Sequence, residues 1–383
     1  LAAPYVMHRL IYHHKYSLYN LGENHPFSPL RNEMLIDLFT EIWDGINITE
    51  PELISPDEIK KLHSAEYVEA VENCGMGIEV ENLERFGLGA ADNPAVKGMA
   101  EGARWQTSGT LYGAKLIAEG KAKRVLQLGG GFHHAHYNYA AGFCLYNDLA
   151  LAVKTFTENN WHVLYLDIDV HHGDGVQDFF YSDGQVLTMS FHESGEYLFP
   201  GSGWLYQLGQ GSGRSLKINF PLEPFTEGES YLYVFKKALR QAMAYFNPDA
   251  IVVQAGADAH FSDDLADLML TTHDYAEIFK TIIQLSEEYA NGRMLFTLGG
   301  GYSFNASFRV WSILFALLSG KELPAELPVE WRKKWEKKLG IKISSQFHDA
   351  ENCYEPIPRK EEIQKNNKNL LSRFQDAVAP YWF

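Results

Sequence analysis

The densest chemistry in this chain sits in one run, Asp167-Ile168-Asp169-Val170-His171-His172-Gly173-Asp174, directly after the apolar stretch Val163-Leu164-Tyr165-Leu166. Side chains two apart along an extended chain share a face, so Asp167, Asp169 and His171 point the same way. Asp169 and His171 can offer an oxygen and a nitrogen to one metal ion, with Asp258 supplying a third ligand from another strand end. Three protein ligands and an open position describe a catalytic zinc rather than a structural one. Two oxygens and one nitrogen are also a harder set than the common zinc sites, so ferrous iron or manganese fits as well. An isolated Asp-x-His would read as a helix cap or an ion pair. Here Asp167, Asp174, His133 and His134 are all expected nearby, which turns the reading towards a site.

Three further apolar runs end in the same way. Val125–Leu128 leads into Gly129-Gly130-Gly131-Phe132-His133-His134, Ile251–Gln254 into Ala255-Gly256-Ala257-Asp258, and Met294–Leu298 into Gly299-Gly300-Gly301-Tyr302. Ligands of open α/β sheets bind outside the carboxyl ends of the strands, and glycines there let backbone approach closely. Four such ends should therefore converge on one site. Histidine is the natural general base near neutral pH, and a carboxylate on its second nitrogen fixes the tautomer; Asp167 and Asp174 are the candidates for that part. Tyr302 can donate its phenol hydrogen to a developing oxyanion. His13-His14 has no carboxylate pattern and reads as structural or exposed, while His192, His260 and His273 each lack a second ligand at metal spacing.

Positioning these residues requires a scaffold, and the chain predicts one. Strands are expected over Arg124–Leu128, His162–Ile168, Gln185–Phe191, Ser215–Phe220, Ala250–Gln254 and Arg293–Leu298. Helical patterns cover Asn147–Asn159, Glu227–Phe246 and Thr272–Ala290, with further helices at about Leu30–Trp43 and Pro56–Asn73. Apolar strands alternating with amphipathic helices predict a single α/β domain around a mostly parallel, buried sheet. The last forty or so residues are charged and patchy and read as a peripheral wrap. No repeat or linker divides the 383 residues.

Composition removes other classes. The charge of −16, from 33 basic and 49 acidic residues, argues against a nucleic-acid partner and permits a cationic one. The longest apolar run, Trp311–Leu318, is too short to span a bilayer. The three cysteines, Cys74, Cys144 and Cys353, suit a reducing cytoplasm rather than a disulfide framework. No secretory leader pattern opens the chain, and Met7 reads as the native start.

Together these residues resemble the histone deacetylase superfamily, the arginase-fold zinc hydrolases. The resemblance runs from His8 to about Gly320, through Gly129–His134, Gly142-Phe143-Cys144-Leu145-Tyr146-Asn147-Asp148, Asp167–Gly175, Ala255–Asp258 and Gly299–Tyr302. It looks closest to class I deacetylases and their bacterial relatives of the acetoin-utilization type. It implies a catalytic domain over 8–320, with 321–383 as a peripheral extension packed on it. It implies zinc on Asp169, His171 and Asp258, His134 as general base paired to Asp174, His133 paired to Asp167, and Tyr302 polarising the amide carbonyl. Asp92 matches a rim aspartate that holds the substrate backbone, Phe143 and Phe199 the walls of an acyl-lysine tunnel, and Arg31 an arginine near where acetate leaves. Leu265 and Gly300 fall among the substrate-contacting positions. Structural potassium is implied too: an inner site on Asp167, Asp169, His171, Ser190 and Phe191, and an outer one on Phe180, Asp183 and Val186.

The expected activity is hydrolysis of the acetyl amide of N-acetyl-lysine in proteins or peptides, releasing acetate. Departures matter: Leu298 stands where class I members have the first of four glycines, and Phe261–Leu268 resembles bacterial members more than eukaryotic ones. Leu265 also replaces the acidic gatekeeper of polyamine-selective relatives, although a small N-acetylated polyamine remains the nearest rival substrate. A two-manganese, arginase-like site would need more ligands than these three. A silent acyl-lysine binder would be expected to have lost Tyr302 or a loop histidine, and all are present.

Overall fold

The computed structural model describes residues 8–382, so Met7 lies outside the described residues. Its strands are β1 (His8–Ile11), β2 (Ile48–Thr49), β3 (Arg124–Gln127), β4 (Val163–Asp167), β5 (Val186–Glu193), β6 (Lys217–Leu222), β7 (Ala250–Gln254) and β8 (Met294–Thr297). They form one sheet in the order β2-β1-β3-β8-β7-β4-β5-β6. Every neighbouring pair is parallel. The helices are α1 (Leu30–Ile42), α2 (Pro56–Ile59), α3 (Ala65–Met76), α4 (Met99–Ala118), α5 (Asp148–Thr157), α6 (Asp174–Phe179), α7 (Gly228–Phe246), α8 (Thr272–Tyr289), α9 (Phe304–Ser319), α10 (Val329–Leu339) and α11 (Lys360–Trp382).

The sheet order has a direct consequence for the site. β3, β8, β7 and β4, the strands whose ends carry the motifs, are consecutive neighbours in the middle of the sheet. Their register aligns as well: Gln127 pairs with Thr297, Thr297 with Gln254, and Gln254 with Asp167. Each of these is the last residue of its strand, so four loops leave the sheet at one level. β4 and β7 are buried along their whole length, with helices packed on both faces. That is why their sequences are continuously apolar rather than alternating.

Several boundaries differ from expectation. The helix expected over Pro56–Asn73 is two helices, α2 and α3, because Ser64 caps a new start by accepting the Tyr67 N–H. β6 runs on through Pro221, which an edge strand tolerates. α4 was not anticipated, although it is 20 residues long. Its glycines are sites of close approach: a side chain at Gly102 would meet the backbone of Leu18 and Tyr19, and one at Gly113 would meet Leu295 and Val125.

The C-terminal residues are more ordered than their composition suggested. α11 presents Ile363, Asn367, Leu370, Leu371, Phe374, Val378 and Trp382 on one buried face. Each large apolar side chain buried in this way contributes about 1.5–3 kcal/mol. Asn367 donates to Thr226 Oγ1 (2.9 Å) and Ser230 Oγ (3.0 Å), and Phe374 packs 5.0 Å from Phe220 of β6. Between α10 and α11, the Asp349 carboxylate accepts from Arg309 (2.6 Å), from His260 Nε2 (2.9 Å) and from the Thr272 N–H that opens α8 (2.8 Å). Those partners hold Asp349 well below the usual carboxylate range despite its burial.

Candidate active site

Asp167 closes β4, and its carboxylate organises the turn that follows. Oδ1 accepts the Asp169 N–H at 3.1 Å, while Oδ2 accepts from Tyr165 (2.5 Å) and faces His133 Nδ1 at 2.8 Å. Asp169 then reaches across the sheet, its Oδ2 accepting from Gln254 Nε2 (2.6 Å) and the Gly300 N–H (2.8 Å). Asp258 Oδ1 accepts the Val170 N–H at 2.9 Å. His171 Nδ1 lies 3.0 Å from Asp169 Oδ1 and 3.3 Å from Asp258 Oδ2. Asp169, His171 and Asp258 thus bring three potential ligand atoms within 4.8 Å of one another, all buried. Closeness depends on missing side chains: a Cβ at Gly300 would overlap the Asp258 carboxylate, and one at Gly256 the Asp169 carboxylate.

This cluster fits a divalent cation. Asp258 Oδ2 is buried and makes no aligned hydrogen bond among the described residues, its neighbour being His171 Nδ1 at 3.3 Å, and a buried polar atom left so costs about 1–3 kcal/mol. Burial and the neighbouring Asp169 charge push the Asp258 carboxyl above the usual carboxylate range. Two carboxylate oxygens and an imidazole nitrogen in a dry pocket are a donor set that suits zinc, iron(II) or manganese(II).

His133 and His134 hang from the β3 loop, which Asp148 shapes by accepting the Gly131 and Phe132 N–H groups at 3.0 and 2.8 Å. His134 Nδ1 meets Asp174 Oδ1 at 2.7 Å, so that nitrogen carries the hydrogen and Nε2 is left as the basic atom. Burial and the adjacent His133 push His134 down to about 3, against the pull of Asp174. Burial opposes the charge on His133 too, but Asp167 and Asp169 outweigh it and hold it up at about 9. Asp174 is shared: its Oδ2 lies 3.3 Å from His136 Nε2, whose other nitrogen is 3.1 Å from Asp178. These partners overcome burial and raise His136 to about 9.

Tyr302 is fixed by its backbone on two sides. Asp263 Oδ2 accepts the N–H groups of Tyr302 (2.7 Å) and Ser303 (3.2 Å). Arg31 Nη1 donates to the carbonyls of Gly299 (2.9 Å) and Gly301 (2.8 Å), bridging the residues either side of Gly300. Burial, with Asp258 and Asp169 nearby, keeps the phenol far above its ordinary range and therefore protonated. The Phe143 ring stands perpendicular to Tyr302 at 5.8 Å, and Phe199 is perpendicular to His134 at 4.9 Å. Gly142 keeps the space between them open, since a Cβ there would strike both the His134 and Phe199 rings. Asp92 lies exposed on the loop ahead of α4, its carbonyl 3.3 Å from His25 Nε2. Leu265 is half-buried in the Asp263 turn.

The remaining candidates lie beside this cluster or further from it. Ser190 pairs in register with Asp167, but its hydroxyl is 2.8 Å from His192 Nδ1. Phe191 stacks on Phe220 at 4.7 Å. The Phe180 and Asp183 turn and Val186 lie at the amino end of β5, away from the row of strand ends. His192, His260 and His273 bind Gly203 O, Asp349 and the Asp349 carbonyl, respectively. His13 stacks on Trp105 at 4.0 Å; with His14 and Glu50 it forms a second, more exposed group of potential ligands. Gln254, Asp263 and His136 were not singled out from sequence. Gln254 left a signal, a lone amide ending a buried apolar strand, whereas nothing separates Asp263 from Asp264 beside it.

Known proteins are similar to this chain along most of its length. The histone deacetylase domain matches residues 25–318. Over 377 residues the chain is 38% identical to the acetoin utilization protein AcuC of Bacillus subtilis, covering 96% of each. It is 36% identical to AcuC of Staphylococcus aureus strain MSSA476, covering 94% of each. A crystal structure of a histone deacetylase homologue from Aquifex aeolicus shares the fold, with a TM-score of 0.83 at 24% identity over 94% of this chain and 100% of that one. A match across most of the sheet and its loops, with relatives similar along nearly the full length, establishes that this chain belongs to the histone deacetylase family and is a hydrolase that removes acyl groups from amides.

Proposed function

We propose that this protein hydrolyses the acetyl amide of N-acetyl-lysine side chains in proteins or peptides, using zinc held by Asp169, His171 and Asp258. The observation that carries the reading is the buried three-ligand cluster with His134, His133 and Tyr302 around it. Bound there, zinc supplies Lewis acidity, polarising the amide carbonyl and making water a better nucleophile. His134, neutral and with Nε2 free, takes the proton from the attacking water, and Asp174 stabilises the resulting imidazolium. Tyr302 donates its hydrogen to the carbonyl oxygen as negative charge gathers on it. As the C–N bond breaks, the amine leaves with a proton from His133, whose raised pKa keeps it in the acid form. The products are acetate and the free lysine amine.

Phe143 and Phe199 then serve as walls against the lysine methylenes, Asp92 as acceptor for a substrate backbone N–H, and Leu265 and Gly300 as further lining. Arg31, buried behind the tyrosine loop with its Nε unpartnered, stands as the exit-side cation for acetate. An inner potassium ion would use Asp167, Asp169, His171, Ser190 and Phe191. The catalytic unit spans 8–320, with 321–383 packed on it, and the three unpaired cysteines suit work in the cytoplasm. Because the relatives are named for acetoin utilization, acetylated proteins of that process are the first substrates to try.

The test is acetate release from an acetyl-lysine peptide and an N-acetylpolyamine, side by side, on zinc-loaded protein. Faster peptide turnover is expected; faster polyamine turnover would keep the mechanism and replace the substrate. Asp258→Ala is expected to lose metal, and full occupancy by elemental analysis would remove Asp258 from the ligand set.

A further inference from the structure

Lys217 opens β6, and its side chain is wholly buried. Lysine is among the residues least often found so, and a buried ammonium normally keeps a carboxylate beside it. Among the described residues, no carboxylate lies within ion-pair distance of this one. Instead Nζ donates to three backbone carbonyls: Val186 at 2.6 Å, Leu216 at 3.2 Å and Asp183 at 3.3 Å. The Asp183 carboxylate is turned elsewhere, accepting the Gln185 N–H at 2.7 Å.

Converging backbone carbonyls with no formal charge of their own are the surroundings that suit a weakly hydrated monovalent cation. An ammonium group and a potassium ion carry the same charge and are close in size, so one cradle serves either. The carbonyls of Asp183 and Val186 belong to residues that the family resemblance assigns to an outer potassium ion. That assignment does not fit this chain. Two of its carbonyls already converge on Nζ, and the third, from Phe180, accepts the Asp183 N–H at 3.0 Å.

We infer that Lys217 carries the cation of this cradle covalently, so that the chain has no outer potassium site and uses its own ammonium to close the turn between α6 and β5. Burial pushes the Lys217 amine down to about 7. The contacts pull the other way, because a neutral amine has only two N–H bonds for three acceptors. The turn so tied follows α6, whose first residue is Asp174. The tether therefore anchors the far end of the short helix that carries the His134 partner.

The experiment compares wild type, Lys217→Ala and Lys217→Met by thermal unfolding in matched potassium, ammonium, sodium and lithium chlorides. Lys217→Ala empties the cradle, and its melting temperature is expected to rise several degrees more than that of wild type when potassium or ammonium replaces lithium. Lys217→Met fills the space with an uncharged chain and should respond to potassium no more than wild type does. An alanine variant no more responsive to potassium than wild type would overturn the inference. The second measurement needs no variant. Wild-type crystals grown in thallium(I) should show no anomalous peak between the Asp183 and Val186 carbonyls, and a peak there would equally overturn it.

Discussion

His133 and His134 are neighbours of one residue type, both buried, and each sets Nδ1 against a carboxylate within 2.8 Å. Yet one is held up at about 9 and the other pushed down to about 3. The hydrogen bond does not explain the difference, since both have it. What differs is the next shell of charge. His133 Nε2 faces Asp169 at 3.9 Å in addition to its own partner. His134 faces the positive His133, and its Asp174 is shared with the positive His136. Two histidines pushed apart in this way divide acid from base at neutral pH. A cation on Asp169, His171 and Asp258 would take up part of the Asp169 charge, leaving Asp167 as the main support for protonated His133.

The sharpest way to break the comparison is to remove each ring in turn. His134→Ala should lower kcat on an acetyl-lysine peptide by about 10³–10⁴-fold and His133→Ala by about 10²-fold, the range for positioned acid–base groups; equal losses would erase the division of labour. Tyr302→Phe should cost about 10²–10³-fold in kcat with KM nearly unchanged. Unchanged turnover would take the phenol out of the reaction. Asp167→Asn removes the charge that keeps His133 protonated. If the protonated form is the acid, as proposed, activity should be lost at lower pH, and the alkaline limb of kcat/KM against pH should move down from about 9. A limb that stays in place would assign it to another group. The smallest effect is expected from His136→Ala. Freed of its second partner, Asp174 would give its full charge to His134 and raise it, moving the acid limb upward from about 3 with less than about a tenfold change in kcat at neutral pH. An acid limb unmoved by this variant would show that sharing Asp174 does not set the His134 charge.

Much of this arrangement could be read from residues alone, and the reason is local. Each motif directly follows an apolar strand, so the residues Asp169, His171, Asp258, His133, His134 and Tyr302 announce their own position at a carboxyl end. The sheet order, which makes those four strands neighbours, had no such local mark. α4 was hidden because Gly102, Gly109 and Gly113 look like breakers in a sequence, whereas in the fold they let the helix press against Tyr19, Gln127 and Leu295. α11 was obscured by its lysines, glutamates and asparagines, although its apolar positions recur at helical spacing. Support residues such as Asp263 and His136 were the least visible. Their partners are backbone N–H groups and a carboxylate brought close only by folding.

Asp349 has a consequence for how the molecule is made. Chains leave the ribosome amino end first and fold as they emerge. When α9 has been synthesised, the strands of the sheet and the three potential ligands are already out, yet His260, the start of α8 and Arg309 still lack the carboxylate that joins them. A nascent chain stalled at that point would hold a finished sheet whose wall beyond Asp258 is untied. Completion of that wall is therefore coupled to synthesis of Asp349, and fragments ending before it should be open to proteases at the 260–272 turn.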